Sequence, residues 1–186
     1  MNIMIVGVGG QGTLLASRIL GKVAIKEGYD VKVSEVHGMS QRGGSVVTYV
    51  KYGDKVYSPI IDRGESDLIL AFEMLEAMRA LPYLKKGGKM IANTQKMNPM
   101  PVITGAMEYP KNIEEKLSAK INLQAVDALS LAEKAGTIKA VNVVLIGLLA
   151  KSMDVDKNVW IDVIKETVPE KFLDVNIKAF ELGYEL

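Results

Sequence analysis

Short apolar runs alternate with segments of helical periodicity along most of the chain. A strand is predicted where apolar or β-branched residues run together up to a glycine or a polar residue. A helix is predicted where apolar residues recur every three or four positions. The predicted strands are residues 3–6, 31–36, 45–52, 67–72, 89–92 and 122–126. The predicted helices are residues 13–26, 73–84, 113–119 and 128–135, a helical region from Lys139 onward, and a last helix beginning at Pro169. Strands separated by crossover helices predict an α/β fold with an open, mostly parallel Rossmann-like sheet and C-terminal helices that cover it.

One stretch of the pattern predicts an antiparallel addition to this sheet. The sequence Tyr52-Gly53-Asp54-Lys55 is typical of a turn, and a short apolar stretch follows it at residues 56–58. We therefore expect a β-hairpin insertion around Gly53, with residues 56–58 as the partner strand. Further along, Gly87 and Gly88 are expected to close the helix predicted at residues 73–84.

Length and charge narrow the class of protein. A chain of 186 residues predicts one domain spanning residues 1–186. The chain carries 23 Lys and Arg against 22 Asp and Glu, so its net charge is only +1. A charge so close to zero does not favour binding to nucleic acid or to an acidic membrane face. The longest apolar stretch, residues 140–150, is interrupted by Asn142 and falls short of the roughly 20 residues that span a bilayer. The N-terminus has no basic segment or cleavage site of a signal peptide, so we expect a soluble, cytoplasmic protein.

The absence of cysteine excludes several kinds of chemistry. With no Cys, the chain has no disulfide framework, no thiol nucleophile, no thiolate zinc site and no iron–sulfur cluster of its own. Its single histidine cannot build an ordinary transition-metal site, so we expect no bound metal. The electrons of any redox reaction would have to pass through a molecule that this chain does not carry.

The first predicted strand ends in a glycine-rich loop. Gly7-Val8-Gly9-Gly10-Gln11-Gly12 fits the pattern G-x-G-x-x-G between a buried strand and a helix. Such a loop brings backbone N–H groups and a helix N-terminus up to an anionic group, so Gly9, Gly10, Gln11 and Gly12 are candidate binding residues. Close packing of strand and helix, with no ligand, explains the glycines equally well. A dinucleotide site would also need an acidic residue at the end of the second strand, where Glu35 points either at a ribose or into the sheet.

The loop between the second and third strands concentrates polar chemistry. It holds the only histidine and a hydroxyl, an amide, a guanidinium and two adjacent glycines. These candidate residues are His37, Ser40, Gln41, Arg42, Gly43 and Gly44. The N–H groups at residues 43–45 are those of an anion-binding nest, and Arg42 is suited to a carboxylate or phosphate. His37 is a candidate for proton transfer. A surface loop whose polar groups satisfy a turn is the alternative, and the variety of residue types favours function.

Further polar residues follow the strands that precede them. Glu73 and Asn93 come directly after predicted strands, and the carboxyl ends of parallel strands share one edge of the sheet. Glu73 is better explained as an acid in the first turn of a helix than as a catalytic carboxylate. Asn142 is either a satisfied core amide or a contact to the glycine loop, and the sequence leaves both open.

At this point the motifs resemble a known family. The glycine loop and its helix are similar to the gamma module of 2-oxoacid:ferredoxin oxidoreductases. The stretch His37-Gly38-Met39-Ser40-Gln41-Arg42-Gly43-Gly44-Ser45 resembles more closely the small (beta) subunits of indolepyruvate:ferredoxin oxidoreductases. Shorter stretches add to the resemblance: residues 57–60, residues 71–73 with 76–79, and residues 140–142 with 146–147. The resemblance covers nearly the whole chain.

This resemblance implies half of a heteromeric enzyme. The larger (alpha) subunit of such enzymes binds thiamine diphosphate with Mg and carries the iron–sulfur clusters. Together the subunits convert an aryl pyruvate and CoA to an aryl-acetyl-CoA, release CO2 and reduce ferredoxin. The resemblance places the candidate residues of both loops against CoA or the partner's active site, and it implies that the isolated chain is inactive. The gamma subunit of a pyruvate or other 2-oxoacid oxidoreductase, a stand-alone nicotinamide-binding protein and a purely structural interaction module remain as alternatives.

Overall fold

The computed structural model describes residues 1–39 and 43–186 of the chain. Its strands are β1 (Asn2–Val8), β2 (Asp30–His37), β3 (Ser45–Gly53), β4 (Ser66–Ala71), β5 (Leu84–Asn93) and β6 (Asn122–Val126). Its α-helices are α1 (Thr13–Lys26), α2 (Met74–Ala80), α3 (Met100–Ile103), α4 (Ile113–Ser118), α5 (Ala128–Ala135), α6 (Val141–Lys151), α7 (Lys157–Thr167) and α8 (Leu173–Tyr184). Short 3-10 turns at Leu81–Tyr83, Ile138–Ala140 and Glu170–Phe172 lead out of or into three of these helices.

The strands form one sheet in the order β2-β3-β1-β4-β5-β6. β1, β4, β5 and β6 are parallel to one another, and β3 lies antiparallel between β1 and β2. The predicted fold class, an open and mostly parallel α/β sheet with C-terminal helices, is confirmed. Because the carboxyl ends of β1, β4, β5 and β6 meet at one edge, the loops that leave these strands lie side by side.

The antiparallel pairing differs from the prediction in its position. Residues 56–58 form no strand, so the expectation of a partner strand after the Gly53 turn is wrong. The strand before that turn, β3, pairs instead with β2 on one side and with β1 on the other. The antiparallel hairpin is therefore β2 with β3, and its connection is the polar loop between His37 and Ser45. Between β1 and β2, the central strand β3 buries Val46, Thr48 and Val50 on one face. Pairing with a short outer strand at residues 56–58 would not bury them.

The helix that follows β4 ends earlier than its apolar periodicity suggests. Pro82 lacks the N–H that continues an α-helix, and the chain tightens into a 3-10 turn over Leu81–Tyr83. Gly87 and Gly88 consequently do not close this helix. They lie inside β5, where the pairing with β4 is irregular between Ser66 and Leu68.

Alternate side chains of the strands pack into two cores on opposite faces of the sheet. Ile3, Ile5 and Leu70 face the larger core, which contains α1, α5, α6, α7 and α8. Met4 and Ile69 face the smaller core, which contains α2 and α4. The period of two in each strand sets this division. In the larger core α6 is buried almost all round and packs closely on α8.

Within residues 1–39 and 43–186, no helix is long and apolar enough to cross a membrane.

Candidate functional site

The glycine loop is braced from inside by its own glutamine. Gln11 Oε1 accepts a hydrogen bond from the Val8 N–H at 2.8 Å, and Gln11 Nε2 donates to the Phe72 carbonyl at 3.0 Å. These contacts tie the end of β1 to the end of β4. The Gln11 side chain, predicted as a ligand contact, therefore folds back into the loop and stabilises its shape. Gly12 caps α1 with a φ of +85°, a left-handed conformation that favours glycine.

The glycine loop and the second loop are hydrogen-bonded to each other through their backbones. Gly9 N–H donates to Gly44 O at 2.8 Å, and Gly43 N–H donates to Gly9 O at 3.3 Å. The pairing continues into the strands, where Val8 lies opposite Ser45. The Gly43 N–H is thereby engaged, so the predicted nest of three N–H groups at residues 43–45 does not form as expected. We refer to residues 9–12 together with residues 43–44 as the joined glycine loops.

A cleft of about 420 Å³ opens on one side of the joined glycine loops. Its wall contains Gly9, Gly10 and Gly12 of the glycine loop. It also contains Thr13 and Leu14 from the first turn of α1, Glu35 and His37 from β2, and Val46 from β3. His37 is exposed, and its Nδ1 lies 2.9 Å from the Gly38 carbonyl. A carbonyl oxygen only accepts, so this contact requires a hydrogen on Nδ1. Glu35 accepts a hydrogen bond from the Thr48 hydroxyl at 3.2 Å, so its carboxylate is partly engaged within the sheet.

A second cleft, of about 440 Å³, lies on the other side of the glycine loop. Besides the loop residues, its wall contains Gln95 and Met97 from the segment after β5, Leu129 of α5, Ile138 and Lys139 of the 3-10 turn, and Val141 at the start of α6. The lining is mostly apolar, and Lys139 supplies one ammonium group. The structure thus brings Gly9, Gly10, Gly12 and His37 together at the first cleft. Ser40, Gln41 and Arg42 lie outside the described residues.

Asn93 and Asn142 hold the loop in place from two directions. Asn93 Nδ2 donates to the Phe72 carbonyl at 3.3 Å, the same oxygen that Gln11 contacts, and Asn93 Oδ1 accepts from Ala128 N–H at 3.2 Å. Asn142 Nδ2 donates to the Gly12 carbonyl at 3.3 Å, although the asparagine is only 3% exposed. Asn142 is therefore both a buried amide and a contact to the glycine loop.

Glu73 is the cap of a helix. Its Oε2 accepts the N–H of Glu76 at 2.9 Å at the start of α2, and its Oε1 accepts from the Met97 N–H and the Tyr109 hydroxyl at 3.0 and 2.6 Å. The side chain is 1% exposed, so its carboxylate is engaged and shielded from a substrate. Burial and the neighbouring Glu73 carboxylate raise the pKa of the Tyr109 hydroxyl. The structural interpretation of Glu73 is therefore supported over a catalytic one.

A cluster of three polar side chains next to the joined glycine loops, those of Ser45, Glu76 and Arg79, was not expected from the sequence. Ser45 Oγ donates to Glu76 Oε2 at 2.6 Å, and the Arg79 guanidinium donates to Glu76 Oε1 at 2.5 Å. The only sequence signal is the spacing of Glu76 and Arg79 by three positions on a helix. No pattern along the chain indicates that Ser45, 31 residues away, is the third member.

Among the residues that the structure describes, no group of three or more His, Asp or Glu side chains is arranged to hold a metal ion.

Comparison with known proteins identifies relatives over the whole length of the fold. The family model for pyruvate ferredoxin/flavodoxin oxidoreductases matches residues 2–186. Indolepyruvate oxidoreductase subunits IorB of Thermococcus kodakarensis and Pyrococcus horikoshii are each 46% identical, over 98% of this chain and 93% of theirs. A common gamma subunit of pyruvate/ketoisovalerate oxidoreductases, also from Thermococcus kodakarensis, is 29% identical over 96% of this chain and 92% of its own. The crystal structure of a keto/oxoacid ferredoxin oxidoreductase gamma subunit from Geobacter sulfurreducens superposes with a TM-score of 0.73. It is 25% identical and covers 99% of this chain and 96% of that one.

Proposed function

We propose, from the premise that the chain belongs to the pyruvate ferredoxin/flavodoxin oxidoreductase family, that it is the small subunit of a thiamine-dependent indolepyruvate:ferredoxin oxidoreductase. The observation that carries the proposal is the 46% identity, over nearly the whole chain, to two indolepyruvate oxidoreductase subunits. Its role as an accessory subunit of a 2-oxoacid:ferredoxin oxidoreductase follows from the family. The aryl pyruvate as substrate is the finer part of the proposal, and the lower identity of the pyruvate/ketoisovalerate gamma subunit, 29%, favours it.

The large subunit completes the enzyme. Bound to that subunit, thiamine diphosphate with Mg would supply the decarboxylation, and iron–sulfur clusters would carry the electrons to ferredoxin. The small subunit has no cysteine to ligate a cluster, so the clusters belong to the partner. In the overall reaction the 2-oxoacid loses CO2, its acyl group forms a thioester with CoA, and two ferredoxins each accept one electron. The cytoplasmic location of the complex stays a prediction.

The joined glycine loops are the part of this chain that we place against CoA or the partner's active site. Within residues 1–39 and 43–186, the N–H groups of Gly10 and Gly12 have no hydrogen-bond partner, and they lie at the start of the 14-residue helix α1. Backbone N–H groups at a helix N-terminus attract phosphate. His37 shares the first cleft, and Lys139 adds a positive charge on the second. Glu35 in the wall of the first cleft disfavours a phosphate there, so the glycine N–H groups together with Lys139 of the mostly apolar second cleft are better suited to the phosphates of CoA.

A nicotinamide dinucleotide fits this site less well. In dinucleotide folds the acidic residue for the ribose ends a strand next to β1. Here β3 lies between β1 and β2, so Glu35 is displaced by one further strand spacing of about 4.8 Å. The Gly9 N–H is also engaged by Gly44 O. Calorimetry of the isolated chain with NAD and NADP tests whether it is a stand-alone nicotinamide-binding protein. Micromolar binding would support that function, and absence of binding would count against it.

Assembly with a large subunit tests the proposal directly. We expect the chain to co-purify with a co-expressed large subunit of an indolepyruvate oxidoreductase. The complex should reduce an artificial electron acceptor only when both an aryl pyruvate and CoA are present. Each subunit alone should be inactive in the same assay. Pyruvate and 2-oxoglutarate serve as substrate controls, and a preference for either would replace the aryl pyruvate assignment. If no large subunit binds, the proposal is wrong.

Arg42 tests whether the second loop takes part in the reaction. We expect Arg42→Ala in the assembled enzyme to raise the KM for CoA about tenfold, because a charge-assisted contact to a phosphate is worth on the order of 1.4 kcal/mol or more. Arg63→Ala, which changes the same residue type outside both loops, is the matched control. Unchanged kinetics in a complex that assembles normally would exclude Arg42 from CoA binding.

A further inference from the structure

A buried carboxylate lies beside the joined glycine loops, and capping does not explain it. Glu76 is 4% exposed, on the first turn of α2. The cap of that helix is already Glu73, which accepts the Glu76 N–H. Burying a charged group costs free energy unless its oxygens are hydrogen-bonded, so the side chain needs another reason to lie here.

The partners of Glu76 supply that reason. One oxygen accepts from the Arg79 guanidinium, which is half exposed and balances the charge. The other accepts from the Ser45 hydroxyl at 2.6 Å, a short and charge-assisted hydrogen bond. Ser45 is the first residue of β3 and directly follows Gly44. Glu76 thus holds the chain at the point where the second loop enters the sheet.

This contact is transmitted to the glycine loop by the backbone. Gly44 O accepts from Gly9 N–H and Gly9 O accepts from Gly43 N–H, so a shift at Ser45 moves both loops together. We propose that Glu76 is a positioning residue, which acts through Ser45 to hold the joined glycine loops in the geometry that the reaction with CoA requires. The role in the reaction rests on the proposed function, whereas the effect on the loops does not.

Removal of the Ser45 hydroxyl tests this inference. In the isolated chain we expect Ser45→Ala to speed amide hydrogen exchange in peptides covering residues 7–13 and 43–47. In the assembled enzyme we expect the KM for CoA to rise about tenfold, the loss typical of a hydrogen bond to a charged group, with kcat changed less than about twofold. Ser45→Thr keeps the hydroxyl in a strand position that suits threonine. It should leave the amide exchange and the KM for CoA at the values of the unmodified protein. Glu76→Gln should shift exchange and KM in the same direction as Ser45→Ala.

The chain offers a matched control outside the cluster of Ser45, Glu76 and Arg79. Ser130 Oγ donates to Asp127 Oδ2 at 2.6 Å, the same pair of groups at the same distance. Ser130→Ala should leave exchange in the joined glycine loops and the KM for CoA unchanged. Fluorescence of Trp160, the only tryptophan, reports whether each variant is folded.

The outcomes separate this inference from the proposed function. If Ser45→Ala leaves exchange in both loops unchanged, Glu76 does not position them and the inference is overturned. If exchange becomes faster while the KM for CoA stays the same, Glu76 holds the loops but their geometry is not needed for CoA binding. That result overturns the part of the inference that concerns the reaction with CoA. An unmodified complex that is inactive with every 2-oxoacid contradicts the proposed function, and the exchange result still decides the role of Glu76.

Discussion

Gly147→Ala is expected to destabilise the protein by about 2 kcal/mol or more, although alanine is the better helix former by roughly 1 kcal/mol. A Cβ at Gly147 would lie 2.1 Å from the Phe180 carbonyl oxygen, where real Cβ atoms stay beyond about 3 Å. The obstacle is backbone, so α8 would have to move as a whole. Gly183→Ala meets the same obstacle from the other side, because its Cβ would lie 2.0 Å from the Val144 carbonyl.

Urea unfolding followed by Trp160 fluorescence measures this loss. Trp160 is fully buried, and its ring centroid lies 6.4 Å from that of Phe180 on α8. With a slope of 1–3 kcal/mol per molar urea, a loss of about 2 kcal/mol lowers the midpoint by roughly 1 M. Gly53→Ala is the control, since its Cβ would meet no atom within 4 Å, and it should stay within about 0.5 kcal/mol. A midpoint for Gly147→Ala equal to that of the unmodified chain would contradict the close approach of α6 and α8.

Gly12→Ala is expected to destabilise the chain through two separable effects. The residue has a φ of +85°, which costs a non-glycine residue about 1–2 kcal/mol. In addition, a Cβ would lie 2.6 Å from Nδ2 of Asn142, and that side chain is packed in α6. Together these effects predict a loss of about 2–4 kcal/mol in the free energy of unfolding.

Gly10 and Asn142 allow the two effects to be measured apart. Gly10 has a φ of +102° and open space around its Cβ position, so Gly10→Ala should show the cost of the backbone conformation alone. Asn142→Ala removes the side chain that obstructs a Cβ at Gly12. In a double-mutant cycle, Gly12→Ala should therefore cost about 1 kcal/mol less when Asn142 is alanine. Additive costs would show that Asn142 does not restrict residue 12.

Local patterns along the chain determined much of the secondary structure and the place of the site. Helix α1 and strand β6 lie where the periodicity predicts them, at Thr13–Lys26 and Asn122–Val126. The glycine motif lies between a strand and a helix, as its pattern indicates. These features depend on residues close in sequence, because periodicity and turn chemistry are local. The end of α2 was missed because the tightening at Pro82 interrupts an apolar periodicity that continues beyond it.

The tertiary structure decided which loops meet and what each polar side chain does there. The sequence placed the antiparallel partner at residues 56–58, whereas β3 enters between β1 and β2. This choice depends on burial of a whole strand among distant neighbours, which no local pattern records. The same insertion carries Ser45 to Glu76, brings Gly43 and Gly44 to Gly9, and places Glu35 one strand further from the glycine loop.

The sequence by itself therefore determined the fold class, the two candidate loops and the absence of a cluster ligand. Only the tertiary structure determined that the two loops form one surface, that Gln11 braces it and that Glu76 supports it. The physical reason is that hydrogen bonds such as the one from Ser45 to Glu76 join residues far apart in the chain. They form only after hydrophobic packing has fixed the positions of the strands and helices that carry them.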